Sequence, residues 1–469
     1  MNRRTFLGAC GAAAASLTAA PAKRPNILFI LPDQLRSQAL ACMGNPDVHS
    51  PNIDRLASQG LVIPNTFANT PVCCPARANL LTGTYASKNG MTANDLRLRE
   101  SETSIADLLG RAGYRTGFIG KWHLDGGKRM PGFIPPGPRR HGFQFWAANE
   151  CNHNHFNTQY FRDTAEPIPI HKFEAEAWTD IALEFMKESA SRSQPYFLIV
   201  SMGPPHDPYK APPEFAAQYD PAKLKMRPNY EPGPGIPGPK EIAQYYGNVG
   251  AVDAQIGRLT AAADENTIVL LSSDHGDMLG SEGRRLKRKP WEESIRVPGI
   301  VRYPARIKPG SRSDAMFTHV DFAPTLLSLC GVKAPSNMQG TDLSRVILGE
   351  SREAPDSAFF QIFGPFQGDG TEDGWRGVRT HRYMYARFES KPWVLYDLEK
   401  DSYEMKNLVD DPAAAGLLKE MDGRVNAWMQ RIGDSWRLDW HELVEDKGRL
   451  YTGGTYYSVE EYLKATAGK

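Results

Sequence analysis

The chain has 469 residues, 55 of them Lys or Arg and 54 Asp or Glu, for a formal net charge of +1. That length supports a large core and about two or three domains, while the even charge balance excludes a global field for capturing nucleic acid or for lying on an anionic membrane. The six cysteines, Cys10, Cys42, Cys73, Cys74, Cys151 and Cys330, form no Cys-x-x-Cys pair, which excludes a small disulfide scaffold. In chain order, the first segment reads Met1-Asn2-Arg3-Arg4-Thr5-Phe6-Leu7-Gly8, then a mild Ala-rich run and the small residues Ala20-Pro21-Ala22. Adjacent arginines ahead of a short apolar stretch predict a twin-arginine type export signal over residues 1–22 and a periplasmic mature protein. The run is too short for a spanning helix, so no stable membrane insertion is expected of the mature chain. A competing reading makes Cys10 an acylated lipoprotein site, but it leaves almost no apolar region ahead of the cut.

Residues 26–31 are a continuous apolar run ending at Pro32-Asp33-Gln34, the pattern of a central parallel strand with polar groups at its carboxyl end. The stretch Cys73-Cys74-Pro75-Ala76-Arg77, continued by Ala78-Asn79-Leu80-Leu81-Thr82-Gly83, predicts a helix. Pro75 suits its first turn, where a missing N–H costs nothing, and Gly83 suits the turn that ends it. Cys73 and Arg77 are four apart and so stack on one face, near free backbone N–H groups that welcome an anion.

A helical pattern at 104–112 precedes a strand at 114–120 that leads into Lys121-Trp122-His123. Another at 175–188 precedes a strand at 196–200 that leads to Pro204-Pro205-His206, and a strand at 267–271 leads into Ser273-Asp274-His275-Gly276. This alternation predicts an α/β fold with a large, mostly parallel central sheet flanked by helices, whose ligands bind outside the carboxyl ends of the strands. Segments 126–142 and 204–239, rich in Pro and Gly, are expected to be irregular walls around that edge. Beyond a boundary at 349–354, strand-like runs at 357–363, 375–387 and 393–398 follow one another without helices, and a helix covers 414–432. The division expected is therefore 23–350 and 351–469, the second a smaller C-terminal α+β subdomain on an antiparallel sheet.

Chemistry gathers at the strand ends. Asp33 beside Gln34 and Asp274 beside His275 bring hard oxygen ligands that suit a divalent cation. Lys121 and His123 alternate by two and point toward one pocket, and His206 lies in the loop Pro205-His206-Asp207-Pro208. Lys287 stands in a basic run with Arg284, Arg285, Arg288 and Lys289, so Lys289 is an alternative for any role given to Lys287. Asn94, Asp95, His153, His155, Trp375 and Arg376 are expected in loops that could meet a sugar, and His319 is expected to be structural.

The stretch 73–83 resembles the signature of the type I sulfatases, the formylglycine-dependent family of the alkaline phosphatase superfamily: Cys or Ser, any residue, Pro, any residue, Arg, then Leu-Thr-Gly. Gly120-Lys121-Trp122-His123-Leu124 is similar to that family's second signature, and the run from Leu395 to Leu398 through Asn407-Leu408 resembles its C-terminal subdomain. The resemblance implies an alkaline phosphatase-like fold. It also implies that a formylglycine-generating maturation enzyme oxidises Cys73 to an aldehyde whose hydrate is the nucleophile, and that Asp33, Gln34, Cys73, Asp274 and His275 hold one divalent metal. Many members carry Asp-Asp and Asp-Asn where this chain has Asp33-Gln34 and Asp274-His275, so its site is less anionic and softer. Calcium is the first expectation, and the imidazole admits manganese or another transition metal.

By the same resemblance Arg77 and Lys121 hold the hydrate and sulfate, Lys287 and His206 contact sulfate oxygens and steer a proton to the leaving alcohol, and His123 takes the proton of the second hydroxyl. The function implied is hydrolysis of a sulfate ester on a small molecule or glycan, a sulfated carbohydrate first. A phosphonate monoester or phosphodiester hydrolase of the same superfamily is the alternative within hydrolases. A sulfated-glycan-binding protein that keeps Cys73 as a thiol is the alternative of another class, and it has no need of every proton-transfer group.

Overall fold

Alternation along the first strand sets the layers. In β1 (Asn26–Asp33), Ile27, Phe29 and Leu31 enter one buried apolar cluster while Leu28 and Ile30 enter a second on the opposite side. A strand apolar on both faces must be covered on both. The computed structural model describes residues 23–126, 129–363 and 374–436, so the expected export signal over 1–22 and Cys10 lie outside the described residues.

The main elements before the boundary are α1 (Cys73–Thr82), β2 (Arg115–Lys121), β3 (Phe145–Asn149), α2 (Glu174–Ala190), β4 (Tyr196–Pro205), α3 (Pro239–Ala262), β5 (Thr267–Leu271), β6 (Ile300–Arg302) and α4 (His319–Leu329). The centre of an eight-stranded sheet runs β3-β2-β4-β1-β5 with every neighbour parallel. β6 then pairs antiparallel with β5, and the short strands Leu61–Val62 and Ser311–Arg312 complete that edge. The expected α/β architecture is present, with a mixed margin. Because the central strands share one direction, Asn149, Lys121, Pro205, Asp33 and Leu271 all end at one side of the sheet.

Helices cover both faces. Ala78 and Leu81 of α1 and Phe322 and Leu326 of α4 join the first cluster; Trp178 and Phe185 of α2 and Tyr245, Val249 and Ile256 of α3 join the second. The 24-residue α3 is absent from the sequence reading, because its internal glycines interrupt the apolar period. Packing explains them: a Cβ at Gly247 would meet the Ala211 side chain at 2.8 Å, and one at Gly257 would meet Asn52 Oδ1 at 2.4 Å. The glycines mark close approach rather than a break.

The C-terminal region forms a four-stranded antiparallel sheet, β7 (Ser357–Ile362), β8 (Trp375–Thr380), β9 (Tyr383–Phe388) and β10 (Pro392–Asp397), covered by α5 (Ala415–Ile432) through Met421, Val425 and Met429. The single run expected at 375–387 is thus a hairpin, turned at 381–382. Trp375 and Arg376, expected in a sugar-facing loop, are instead buried in β8, where Arg376 Nη2 donates to Asp434 Oδ1 at 2.9 Å. The other side of this sheet shares an apolar cluster with Phe67, Met278 and Trp291 from segments of the larger region. Among the described residues no helix is long and apolar enough to cross a membrane.

Gly120 tests the central sheet. It has φ +101°, and a Cβ there would lie 1.8 Å from the Ser201 carbonyl oxygen of the neighbouring strand. Gly120→Ala is expected to cost about 3 kcal/mol or more, read as a lower urea midpoint or loss of soluble protein; an unchanged midpoint would contradict the β2–β4 pairing.

Candidate active site

Most of the functional side chains come from the carboxyl edge of a strand or from the start of α1, and Lys287 comes from a turn beyond β5. The helix begins after Val72, which is extended, and ends at Gly83, whose left-handed φ of 64° lets its N–H reach Asn79 O at 3.0 Å. Every residue of α1 is buried, so Arg77 points inward and its charge must be paired there. Its Nε donates to Asp274 Oδ2 at 3.1 Å, Nη2 to Asp33 Oδ2 at 3.1 Å, and Nη1 to both Ser201 Oγ and the Lys121 carbonyl at 2.8 Å. One guanidinium thereby joins β1, β2, β4 and the segment after β5. Lys121 Nζ adds a second cation on Asp33 Oδ2 at 2.6 Å.

Burial opposes the charge on Asp33, but Lys121, His206 and Arg77 together hold the carboxyl well below its usual range. Burial likewise raises the Cys73 thiol, yet Lys287, Lys121 and His275 together pull it well below the ordinary thiol value. Its neighbour behaves oppositely. Burial pushes Cys74 up to about 11, and its sulfur accepts the Asp95 N–H at 3.3 Å, as suits a bystander.

The ligating atoms of Asp33, Cys73, Asp274 and His275 all lie within 4.8 Å of one another, and all four residues are buried. Asp33 Oδ1 is buried with no hydrogen-bond partner. His275 Nδ1 donates to the Gly276 carbonyl at 3.0 Å, which leaves Nε2, 3.3 Å from Cys73 Sγ, as a lone pair facing the cluster. An orphaned carboxylate oxygen and a correctly turned imidazole fit a divalent cation. Gln34, expected beside them, has a left-handed φ of 65° fixed by its N–H on Asp274 Oδ1 at 3.0 Å and by Tyr245 Oη on its carbonyl at 2.7 Å. Its side-chain oxygen accepts from Lys287 Nζ, and its Nε2 donates to Asp277 Oδ2 at 2.6 Å.

Lys287 also bonds His206, Nζ to Nε2 at 2.9 Å. His206 Nδ1 donates to the Asp207 carbonyl at 2.7 Å, so Nε2 is the acceptor and the shared proton belongs to lysine. His123, with φ 56°, is held by its N–H on the Glu150 carbonyl at 2.7 Å and places Nε2 3.2 Å from Asp95 Oδ1. Its Nδ1 is buried and without a partner. Asp95 is in turn gripped by Arg129 Nε at 2.9 Å. The His153 ring stacks on His206 at 4.9 Å and 8° between planes.

Other expectations resolve differently. Asn94 Oδ1 accepts the Cys74 N–H at 3.0 Å and braces the helix start, and His155 is buried between Glu174 Oε1 (2.6 Å) and the His206 carbonyl (2.8 Å). His319 is structural: it reaches the Ser273 carbonyl at 2.9 Å, and burial lowers its pKa to about 3. Ser201 on Arg77, Arg129 on Asp95 and Tyr209 on Asp277 are partners the sequence reading did not assign. For Ser201 a signal existed, its place at the end of a strand; for the other two, only the folded loops show it.

Comparison with known proteins agrees with this geometry. The family model described as Sulfatase matches residues 25–332, and that described as N-sulphoglucosamine sulphohydrolase, C-terminal, matches residues 280–431. The chain is 36% identical over 424 residues to the ulvan-active sulfatase of Formosa agariphila, covering 88% of this chain and 83% of that one. It is 27% identical over 490 residues to the N-acetylglucosamine-6-O-sulfatase of Bacteroides thetaiotaomicron, covering 85% of each. The solved yidJ structure from Bacteroides fragilis superposes with a TM-score of 0.81 at 30% identity, covering 90% of this chain and 99% of that one. A buried Arg77 that ties the start of α1 to two aspartates, within a chain matched over most of its length, makes this protein a member of the sulfatase family, a sulfuric ester hydrolase.

Proposed function

We propose that the protein removes sulfate from a sulfated saccharide, with formylglycine derived from Cys73 as nucleophile. The observation that carries this reading is the Cys73 sulfur, buried at a helix start against His275 and within 4.8 Å of Asp33 and Asp274 ligand atoms. The relatives named for ulvan and for N-acetylglucosamine 6-sulfate support a sugar sulfate as the substrate class. In the unmodified chain described above, Sγ stands where an oxygen of the aldehyde hydrate would sit.

Sulfate esters resist attack because negative oxygens shield the sulfur and an alkoxide leaves poorly. Oxidation of Cys73 would supply a hydrated aldehyde, with one hydroxyl for attack and a second for release of sulfate. A divalent cation, Ca²⁺ first, held by Asp33, Asp274, His275, the Gln34 carboxamide and the residue 73 side chain, would supply positive charge at that centre. Arg77 is committed to both aspartates, so it orients the helix start and the metal ligands. Lys121 and Lys287 present cations to the sulfate oxygens. The Lys287–His206 pair holds a transferable proton at 2.9 Å for the leaving alcohol, and the unpartnered Nδ1 of His123 accepts one from the second hydroxyl. His153, stacked on His206, forms the sugar-facing wall. We further assign residues 1–22 to twin-arginine export to the periplasm, 23–350 to the catalytic domain and 351–469 to the C-terminal subdomain, with a maturation enzyme acting on Cys73 beforehand.

Chain produced with a maturation enzyme should show Cys73 as an aldehyde by peptide mass spectrometry, and Cys73→Ala should abolish turnover with an unchanged urea midpoint. A thiol at position 73 in turning-over enzyme, or full turnover by Cys73→Ala, would sink the nucleophile. A release screen across defined sulfated sugars and one phosphodiester should yield sulfate; phosphate chemistry alone would move the protein to the phosphodiester reading. Stripping with EDTA should abolish turnover, and Ca²⁺ or Mn²⁺ at a hundred times its Kd should stabilise the fold by about 2.7 kcal/mol; no change in either would refute the metal assignment.

A further inference from the structure

Lys287 sits in a turn that the chain does not favour by itself. Leu286 has φ 62° and Arg288 φ 73°, so left-handed, non-glycine residues flank the lysine on both sides. Such backbone persists only where its surroundings over-determine it. Here the Met278 N–H donates to the Leu286 carbonyl at 2.7 Å, and the Arg288 N–H donates to the Pro71 carbonyl at 3.0 Å, two residues before Cys73. From the C-terminal sheet the Trp375 indole N–H donates to the Arg288 carbonyl at 2.9 Å. Trp375 is fully buried, with its ring against Trp393 at 6.3 Å, so the donor has little freedom to follow a moving acceptor. The same sheet secures the next residues: Trp291 Nε1 donates to Tyr396 Oη at 3.1 Å, and Arg379 Nε to Glu292 Oε1 at 2.9 Å.

We propose that Trp375 is a positioning residue for the sulfatase reaction, its indole N–H pinning the left-handed Arg288 so that Lys287 Nζ stays on His206. This rests on the reading of Lys287 and His206 as the pair that protonates the leaving alcohol. The Arg288 carbonyl belongs to the peptide following the strained residue. When its donor is removed, Arg288 returns toward an ordinary negative φ, and that rotation swings the adjoining Lys287 away from His206. Of the proposed metal ligands only Gln34 meets this turn directly, through Lys287 Nζ on its side-chain oxygen. The loss is therefore larger where the leaving alcohol needs a proton: every ester loses the Lys287 charge, but only the sugar sulfate also loses its proton donor.

The test compares a sugar sulfate that the wild type hydrolyses with 4-nitrophenyl sulfate, whose leaving group needs no proton. Lys287→Ala should lose kcat/KM on the sugar sulfate far more than on the aryl ester. Trp375→Phe should show the same selectivity, its loss on the sugar sulfate exceeding that on the aryl ester by about tenfold, the size expected for one hydrogen bond. Arg288→Gly added to Trp375→Phe should restore most of that loss, because glycine accepts a left-handed φ without strain. Equal losses on both esters, no loss, or no rescue, with Lys287→Ala still selective, would overturn the role of Trp375 and leave the lysine reading intact. A Lys287→Ala variant without selectivity would overturn both. If Trp375→Phe does not fold, benzothienylalanine in place of Trp375 keeps the ring shape and removes only the donor, and the same outcomes apply.

Discussion

The buried guanidinium of Arg77 is the interaction on which the site depends. It spends its donors on Asp33, Asp274, Ser201 and the Lys121 carbonyl, groups that reach it from separate strand ends. Two buried carboxylates side by side would repel each other; a planar cation between them pairs with both and still leaves Asp33 Oδ1 open. A lysine at this position is a point charge and cannot span the same four acceptors. Helix start, metal ligands and the neighbouring cation are therefore set by one residue that does not need to touch the sulfur of the substrate.

In two of the three imidazoles the backbone chooses the tautomer. His275 and His206 each give Nδ1–H to a nearby main-chain carbonyl, at 3.0 Å and 2.7 Å, which turns Nε2 inward as a lone pair. Equivalent wiring serves different ends because the partners differ: an orphaned carboxylate faces one, and a lysine the other. His123 is wired in reverse, with Nε2 on Asp95 and Nδ1 left open. Three identical side chains are thus sorted into two tautomers through their hydrogen bonds alone.

Much of this was legible in the sequence because strand ends in a parallel sheet converge, so Asp33, Lys121, His206 and Asp274 could be assigned to one edge before any fold was known. The C-terminal sheet and its covering helix were likewise visible as runs. What sequence concealed depends on contact. The glycines of α3 read as interruptions until their neighbours, Ala211 and Asn52, are seen pressed against them. Trp375 and Arg376 looked like exposed recognition groups, since an aromatic beside a cation says nothing about which way it faces; burial and Asp434 decide it. The partners of the Gln34 amide, Lys287 and Asp277, are likewise set by the folded chain and have no signal in the sequence.

The burial of Cys73 also has a consequence in time. Only 2% of that residue is accessible in the folded chain, beneath a helix whose other residues are all buried. A second enzyme reaches such a side chain more easily before α1 packs against the sheet than after. The conversion of Cys73 proposed above is therefore favoured while the segment is still extended, and folding acts as a deadline. A molecule that folds first keeps its thiol, sealed among the charges that were arranged for something else.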